Sequence, residues 1–404
     1  MSQTLRSQTL PRQTRHRGAA ETVLTNARVV LPEGVVTGTV VVRDGRVAEV
    51  AEGQVTSGED LDGDYLLPGV VELHTDHLEY HFEPRPGTQW DPVPAVLAHD
   101  AQLAASGATT VFDAVRVGAS PGAKDPAPAN AHRLADAVTH ASASGLLRAD
   151  HYLHLRCEVS APDCLESFES FEDDPYVRLA SLMDHTPGER QYADVEAFRT
   201  YVTGKRHVSD AELDDHIAVL RETSARYADP HRKAIAGRAR ALGIVLATHD
   251  DATATHVAES VALGVAIAEF PTTVEAARAA AEAGQRIVMG APNVVRGGSQ
   301  SGNVAAADLL ALGLLHILSS DYVPSSPLQA VVQLAATGVL PIERGVRLIS
   351  TNPARAVDLD DRGEIAPGLR ADLVRVREHA VGPAAPGLHV PVVRGVWREG
   401  HRVA

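Results

Sequence analysis

Apolar and polar positions change their rhythm twice along the chain. Residues 22–30, 35–42 and 46–50 are Val-rich and are punctuated by Pro32-Glu33-Gly34 and Asp44-Gly45, a pattern that predicts short antiparallel strands joined by turns. From Tyr65 the texture becomes apolar strand, polar loop and Ala-rich helix, repeated. Strands are predicted at 69–74, 108–114, 152–159, 177–183, 244–248, 266–270, 287–289 and 316–320, and helices between them at 194–201, 210–228, 274–283 and 328–336. Eight strands alternating with helices predict an α/β fold, a (β/α)8 TIM-like barrel. After about residue 355 the strand texture returns at 373–376, at 390–393 and in the last stretch to Val403. The two ends are therefore expected to build one small β-sandwich domain, residues 21–67 with 355–404, into which a barrel of residues 68–354 is inserted. The Pro-rich stretch 121–128 reads as a loop beyond the second barrel strand.

Composition narrows this frame. The chain has 404 residues with 37 Lys+Arg against 52 Asp+Glu, a net charge of −15. That balance argues against a nucleic-acid or anionic-membrane partner, which needs an extended basic surface. Only two cysteines occur, Cys157 and Cys164, so a disulfide framework and a thiolate zinc site are excluded. Nineteen histidines leave imidazole and carboxylate as the available metal ligands. No run of about 18 apolar residues is present to span a membrane. The first twenty residues carry Arg6, Arg12, Arg15 and Arg17 and no acid; a disordered basic tail is the reading preferred over a transit peptide. A cytoplasmic homo-oligomer is the expected state.

The active site of such a barrel lies at the C-terminal ends of its strands, and those ends are polar here. The first ends in His74-Thr75-Asp76-His77, the second near Asp113, the third in Arg156-Cys157-Glu158, the fourth in Asp184-His185 and the fifth in His249-Asp250-Asp251; the sixth carries Glu269 and the eighth Asp321. So many imidazoles and carboxylates at neighbouring strand ends would repel and desolvate one another without a cation between them. The ligand types suit zinc best, with manganese or iron as alternatives. His74 and Asp76 are two apart, so both face the barrel mouth. The number of groups exceeds what one catalytic zinc uses, which points to two divalent ions sharing a carboxylate and to metal-assisted hydrolysis.

These motifs resemble the amidohydrolase superfamily. The resemblance is carried by "LLPGVVELHTD" (66–76), by the Asp after "LSS" at the last strand, and by "TNPARAVDLDDRGEIAPGLRADLV" (351–374) where the chain leaves the barrel. A narrower likeness rests on eight strings in order: "ELHTDHLEYHFEPRPG" (72–87), "AHDAQLAASGATTVFDAV" (98–115), "HLRCEVS" (154–160), "LMDHTPGERQY" (182–192), "THDDAT" (248–253), "EFPTTVEAA" (269–277), "MGAPNVVRGGSQSGN" (289–303) and "SSDYVPSSPL" (319–328). Together they resemble the diphosphatases that act on a ribose 1-methylphosphonate 5-triphosphate in the carbon–phosphorus lyase pathway of phosphonate metabolism. The resemblance implies release of pyrophosphate from a small anionic ribosyl triphosphate. It implies His74, Asp76, Glu158, His185, His249 and Asp321 as metal ligands, Glu158 as their bridge, and Asp321 as the catalytic group that takes the proton from the attacking water. The superfamily usually opens with His-X-His; here Asp76 holds the second place and His77 competes with it.

A polyphosphate needs local cationic or amide donors. Arg296, Gly297, Gly298 and Ser299 open a glycine-rich loop after the seventh strand, where backbone N–H groups can approach phosphate oxygens. Lys205 with Arg206 and His207, and Arg85 after the first strand, are further candidates, and Tyr322 is placed to stack on a ribose. Two rival readings stay open: a cyclic-amide or nucleobase hydrolase resembling dihydroorotase or adenine deaminase, and a barrel retained as a non-catalytic scaffold.

Overall fold

The computed structural model describes residues 21–119, 127–192, 195–205, 209–299, 302–384 and 387–404. The Arg-rich first twenty residues, 121–126 of the Pro-rich stretch, and Arg206 and His207 lie outside them. Two sheets organise the chain. The first joins both ends: β1 (Thr22–Leu31), β2 (Gly34–Arg43), β3 (Arg46–Glu52), β4 (Glu59–Asp60) and β5 (Tyr65–Pro68) from the N-terminal side. The C-terminal side adds β14 (Leu373–Ala380), β15 (His389–Arg398) and β16 (His401–Arg402). Its order is β16-β15-β14-β5-β1-β2-β3, with β4 beside β1. Pairing is antiparallel except where β1 meets β4 and β5. Leu24, Val29, Val40, Val42, Val47, Leu66, Leu373 and Trp397, from strands along most of this path, share one apolar cluster. The sheet therefore curls around its own core, and Val30, Leu67, Val374 and Val396 on its other face join the cluster that holds the barrel helices.

The second sheet is the barrel. Its strands are β6 (Val70–Thr75), β7 (Ala108–Val117), β8 (Asp150–Glu158), β9 (Val177–Met183), β10 (Val245–His249), β11 (Ile267–Glu269), β12 (Arg286–Gly290) and β13 (Ile317–Ser319). All neighbours run parallel, in sequence order. All eight predicted barrel strands are present. β5 passes into β6 through Gly69, where a Cβ would stand 2.1 Å from Thr109 Oγ1, so only glycine lets the chain cross so close to β7. The ring nearly closes at its C-terminal end. Asp321 N donates to His74 O and Asp76 N donates to Asp321 O, each at 3.0 Å. The buried Glu72 carboxylate accepts the N–H groups of both His74 and Ser320.

The helix predicted at 210–228 runs instead from Asp210 to Leu242, through Pro230. A proline inside a helix costs about 3 kcal/mol. Two features offset it: a capping box at Ser209 and Glu212, and burial of Ile235, Ala236 and Ala239. The C-terminal segment is tied to the barrel by charge. Asp150, opening β8, accepts Arg362 Nη1 at 2.7 Å, and lies 2.7 Å from Arg370 Nη1 and 3.4 Å from Arg398 Nη1. No helix among the described residues is long and apolar enough to cross a membrane.

Candidate metal centre at the barrel mouth

Strand pleat and three unusual backbone conformations bring the site together. His74 and Asp76 project from the tip of β6. Asp250, Phe270 and Asp321 follow the ends of β10, β11 and β13 with φ of 58°, 53° and 53°, in the left-handed region that non-glycine residues rarely adopt. Such residues cost of order 1–3 kcal/mol each and persist where the surroundings fix them. Here each N–H is bonded to the neighbouring strand: Asp250 N to Glu269 O, Phe270 N to Val288 O, and Asp321 N to His74 O. Gly290 leaves room for Asp321, since a Cβ there would lie 3.2 Å from its Oδ2.

Two groups of ligand-type side chains result, His74 with Asp76 and Asp321, and His185 with His249 and Asp250; within each, one ligand atom per residue lies within 4.8 Å of the others. His74 Nε2 stands 3.4 Å from Asp76 Oδ1, and Asp250 Oδ2 stands 3.4 Å from His249 Nε2 and 3.8 Å from His185 Nε2. The His74 and His249 rings stack at 5.7 Å, which sets the groups side by side. Beneath them Glu269, fully buried, reaches His74 Nδ1 at 3.2 Å, His249 Nδ1 at 3.4 Å and His154 Nε2 at 3.8 Å.

Electrostatics match this crowding. Burial disfavours charge on His74, but Glu269 and Asp76 outweigh it and push the imidazole up to about 10. Burial would raise Asp76, yet the Arg156 guanidinium, 2.7 Å away, and His74 hold it well below the usual carboxylate range. Asp321 is pushed up to about 6 by burial and by the charge of Asp76. Burial lowers His154 to about 4, so its Nδ1–H donates to Leu73 O and its Nε2 accepts from Ser181 Oγ, each at 2.9 Å. Asp250 Oδ2 is buried with no hydrogen-bond partner. A carboxylate oxygen left so between two imidazole nitrogens is a poor arrangement for a protein alone and a good one for a divalent cation.

The structure thus brings together five of the six expected ligands: His74, Asp76, His185, His249 and Asp321. Glu158 stands elsewhere. Its Oε2 lies 2.5 Å from His185 Nδ1, and its Oε1 accepts His185 N at 3.1 Å and Ser160 Oγ at 2.7 Å. It bonds Nδ1 of His185, whose Nε2 faces Asp250, as carboxylates behind metal-binding histidines do, and it is in neither of the two groups. Its partner arginine is Arg116, 3.6 Å away, while Arg156 goes to Asp76. Asp76 rather than His77 joins His74; His77 stacks on Tyr80 at 5.2 Å.

The glycine-rich loop also departs from expectation. Ala291–Arg296 is a short helix, and Gly297 is its left-handed C-cap. The N–H groups of Gly297 and Gly298 close onto Asn293 and Val294 carbonyls, a capping arrangement that leaves neither amide for phosphate. Ser299 is half-buried beside them; Gln300 and Ser301 lie outside the described residues. Arg296 and Tyr322 do meet, Nη1 to OH at 3.4 Å. Arg85 is exposed in the turn closed by Thr88 N–H to Arg85 O, and Lys205 ends the helix Val195–Lys205. Sequence reasoning noted Asp250 and Glu269 at strand ends without choosing them and passed over His154, although its spacing of four from Glu158 puts both on one face of β8.

Comparison with known proteins agrees with this geometry. The amidohydrolase family profile matches residues 176–404. The chain is 44% identical over 385 residues to alpha-D-ribose 1-methylphosphonate 5-triphosphate diphosphatase of Escherichia coli (strain K12), covering 94% of this chain and 100% of that protein. It is 26% identical over 380 residues to an adenine deaminase of Nitratidesulfovibrio vulgaris (strain DP4), covering 89% of this chain and 55% of that protein. Among solved structures, dihydropyrimidinase from Brevibacillus agri NCHU1002 superposes with a TM-score of 0.60 at 15% identity, over 95% of each chain. With barrel, mouth and sequence in agreement, the chain belongs to the amidohydrolase family.

Proposed function

We propose that the chain is a metal-dependent hydrolase of a phosphoric anhydride, converting alpha-D-ribose 1-methylphosphonate 5-triphosphate to the 5-phosphate and pyrophosphate in phosphonate catabolism. The observation that carries this reading is the 44% identity to the Escherichia coli diphosphatase along its whole length. In this reading residues 68–354 are the catalytic unit, and 21–67 with 355–404 support it.

His74, Asp76 and Asp321 would hold one divalent ion, and His185, His249 and Asp250 a second. Zinc suits this mixture of imidazole and carboxylate best. Bound there, such ions lower the pKa of water and neutralise phosphoryl charge. The chain's own groups do the rest. Asp321, at the end of the last barrel strand and beside His74 and Asp76, would take a proton from the attacking water. Glu158 keeps His185 in one ring orientation through Nδ1. Glu269 fixes His74 and His249 from below. Tyr322, 38% exposed and next to Asp321, offers a ring to the sugar.

Hydrolysis of the triphosphate in 18O-labelled water tests the reaction. Attack at the α-phosphorus places label in the sugar phosphate and none in pyrophosphate. Label in pyrophosphate contradicts it. The adenine deaminase relative favours one second reading, hydrolysis at a nucleobase or cyclic amide. Turnover of such substrates, with no pyrophosphate released from the triphosphate, would replace the first reading.

A further inference from the structure

The two ligand groups at the mouth are held together in different ways. In the first, main-chain bonds close the gap between β6 and β13: Asp321 N donates to His74 O and Asp76 N donates to Asp321 O, each at 3.0 Å, around a bridge of Thr75 with Asp321. In the second, His185 follows β9, whereas His249 and Asp250 stand at the tip of β10. Pairing between those two strands stops at Leu182 and Thr248, short of all three ligands. Among the described residues, no backbone hydrogen bond joins 184–192 to 250–256.

A side chain crosses there instead. Arg190 opens the short turn Arg190–Tyr192, in the same connection after β9 that carries His185. Its Nη1 pairs with Asp251 Oδ1 and lies 3.4 Å from Thr248 Oγ1, and its Nη2 lies 3.5 Å from Glu259 Oε2 on the helix Ala254–Ala262. Thr248 and Asp251 bracket His249 and Asp250. One guanidinium, carried by the segment of the first ligand, therefore grips both flanks of the other two. The placement is costly. Arg190 is 3% exposed and its φ is 35°; burying a charge and holding a non-glycine residue at positive φ both oppose folding. Asp251, equally buried, offsets the first cost. The other restraints on the group point elsewhere: Asp250 N is bonded to Glu269 O on β11, and His185 Nδ1 to Glu158 on β8.

We propose that Arg190 is a positioning residue for the second metal, setting the separation of His185 from His249 and Asp250 by clamping Thr248 and Asp251. The proposal rests on the metal-dependent reading of the mouth and concerns one of its two ion sites only. A guanidinium suits the task because its planar fork reaches two acceptors in fixed directions and keeps its charge at any working pH. A lysine would offer one flexible point of attachment. The first group, closed by main-chain bonds, has no need of such a clamp.

The test titrates full-length protein with zinc against a chromophoric chelator. Arg190→Met is expected to weaken one zinc equivalent about 10–100-fold, as loss of a group that orients a ligand does, and to leave the other within about threefold. An anomalous map from that variant at limiting zinc should keep the peak among His74, Asp76 and Asp321 and lose the one among His185, His249 and Asp250. Asp251→Asn should weaken the same equivalent, and the double variant should be little worse than either alone, since both break one contact. Asp251→Asn also carries the test if Arg190→Met does not fold. Arg190→Lys should recover part of the affinity. Glu259→Gln, which alters only the outer partner of the guanidinium, should leave both equivalents unchanged. Unaltered affinity for both equivalents in Arg190→Met or Asp251→Asn overturns the proposal, even with a lower thermal midpoint, because Arg190 would then brace the fold and not the metal. Equal weakening of both equivalents overturns it too. The two readings fail separately. Two zinc equivalents indifferent to Arg190 remove the clamp alone; an unaltered protein whose mouth binds no zinc removes the metal reading and the clamp with it.

Discussion

Two buried clusters in this molecule are made of the same side chains and behave in opposite ways. At the mouth, His74, His185, His249, Asp76, Asp250, Glu269 and Asp321 crowd together at separations mostly of 3.2–3.8 Å, with Asp250 Oδ2 unpartnered. Outside the barrel wall, His99 on the helix Pro92–Ala105 gives Nε2 to Asp113 Oδ1 at 2.8 Å, and His151 gives Nδ1 to Asp113 Oδ2 at 2.7 Å. His151 Nε2 turns to Asp100 Oδ1 at 3.3 Å, and Asp100 also accepts the N–H groups of Arg148 and Ala149 at 2.9 Å. Ligand-type residues group there too, His99 with Asp113 and His151. The difference lies in satisfaction. In the outer cluster both Asp113 oxygens are spent on short, charge-assisted bonds, and the circuit is complete without an ion, save for His99 Nδ1. At the mouth the distances are too long and the acceptors too many. Composition alone does not separate a metal centre from a structural ion network; hydrogen-bond satisfaction does.

The comparison can be broken by substitution. The largest effect is expected at the mouth: Asp321→Asn should lower kcat by roughly 10²–10⁴-fold, the range for a positioned proton acceptor, with the thermal midpoint little changed. Unaltered turnover would remove Asp321 from the chemistry. At the outer cluster Asp113→Asn should do the converse. Breaking a buried ion network costs about 3–5 kcal/mol, on the order of 10 °C in Tm for a chain of this size, while metal content stays the same. A metal loss in that variant would make the outer cluster a second metal site.

Between these lies Glu158→Gln. Because Glu158 acts through His185, metal affinity should weaken about 10–100-fold, as read by competition with a chelator; complete loss of one metal equivalent at saturating ion would instead make it a direct ligand. The smallest effect is a pH dependence. Burial opposes the charge on His151, but Asp113 and Asp100 raise it to about 10. A raised folded-state pKa gives stability fully present below the unfolded value, ~6.5, and lost as pH climbs toward the folded one. The Tm gap between the unaltered protein and His151→Asn should therefore be constant below about pH 6.5 and narrow toward pH 10. A gap that widens with pH contradicts the assignment of charge.

The sequence made the barrel legible because each strand is a short apolar run closed by polar residues, and because strand ends define the mouth. His74, Asp76, His185, His249 and Asp321 could be read from that rule. Asp250 could not. It follows His249 directly, and regular alternation would turn it to the opposite face; its left-handed backbone turns it back. Glu158 was legible as a candidate site residue, but its contact with His185 Nδ1 was not, since a carboxylate that holds a metal and one that holds a histidine look alike in a string of letters. The expected open amides at Gly297 and Gly298 were not legible for a related reason. Glycines beside an arginine suit a phosphate loop and a helix C-cap equally, and only the direction of the N–H groups decides between them. The helix predicted at 210–228 continues to Leu242 through Pro230, because its capping box and buried face outweigh the cost of the proline.

The most direct test of the central claim is an anomalous diffraction map, recorded at the zinc absorption edge, from crystals of the protein grown with zinc. Peaks are expected among His74, Asp76 and Asp321 and among His185, His249 and Asp250, and none at His99, Asp113 and His151. Density at the outer cluster, or a mouth that binds no ion, would contradict it.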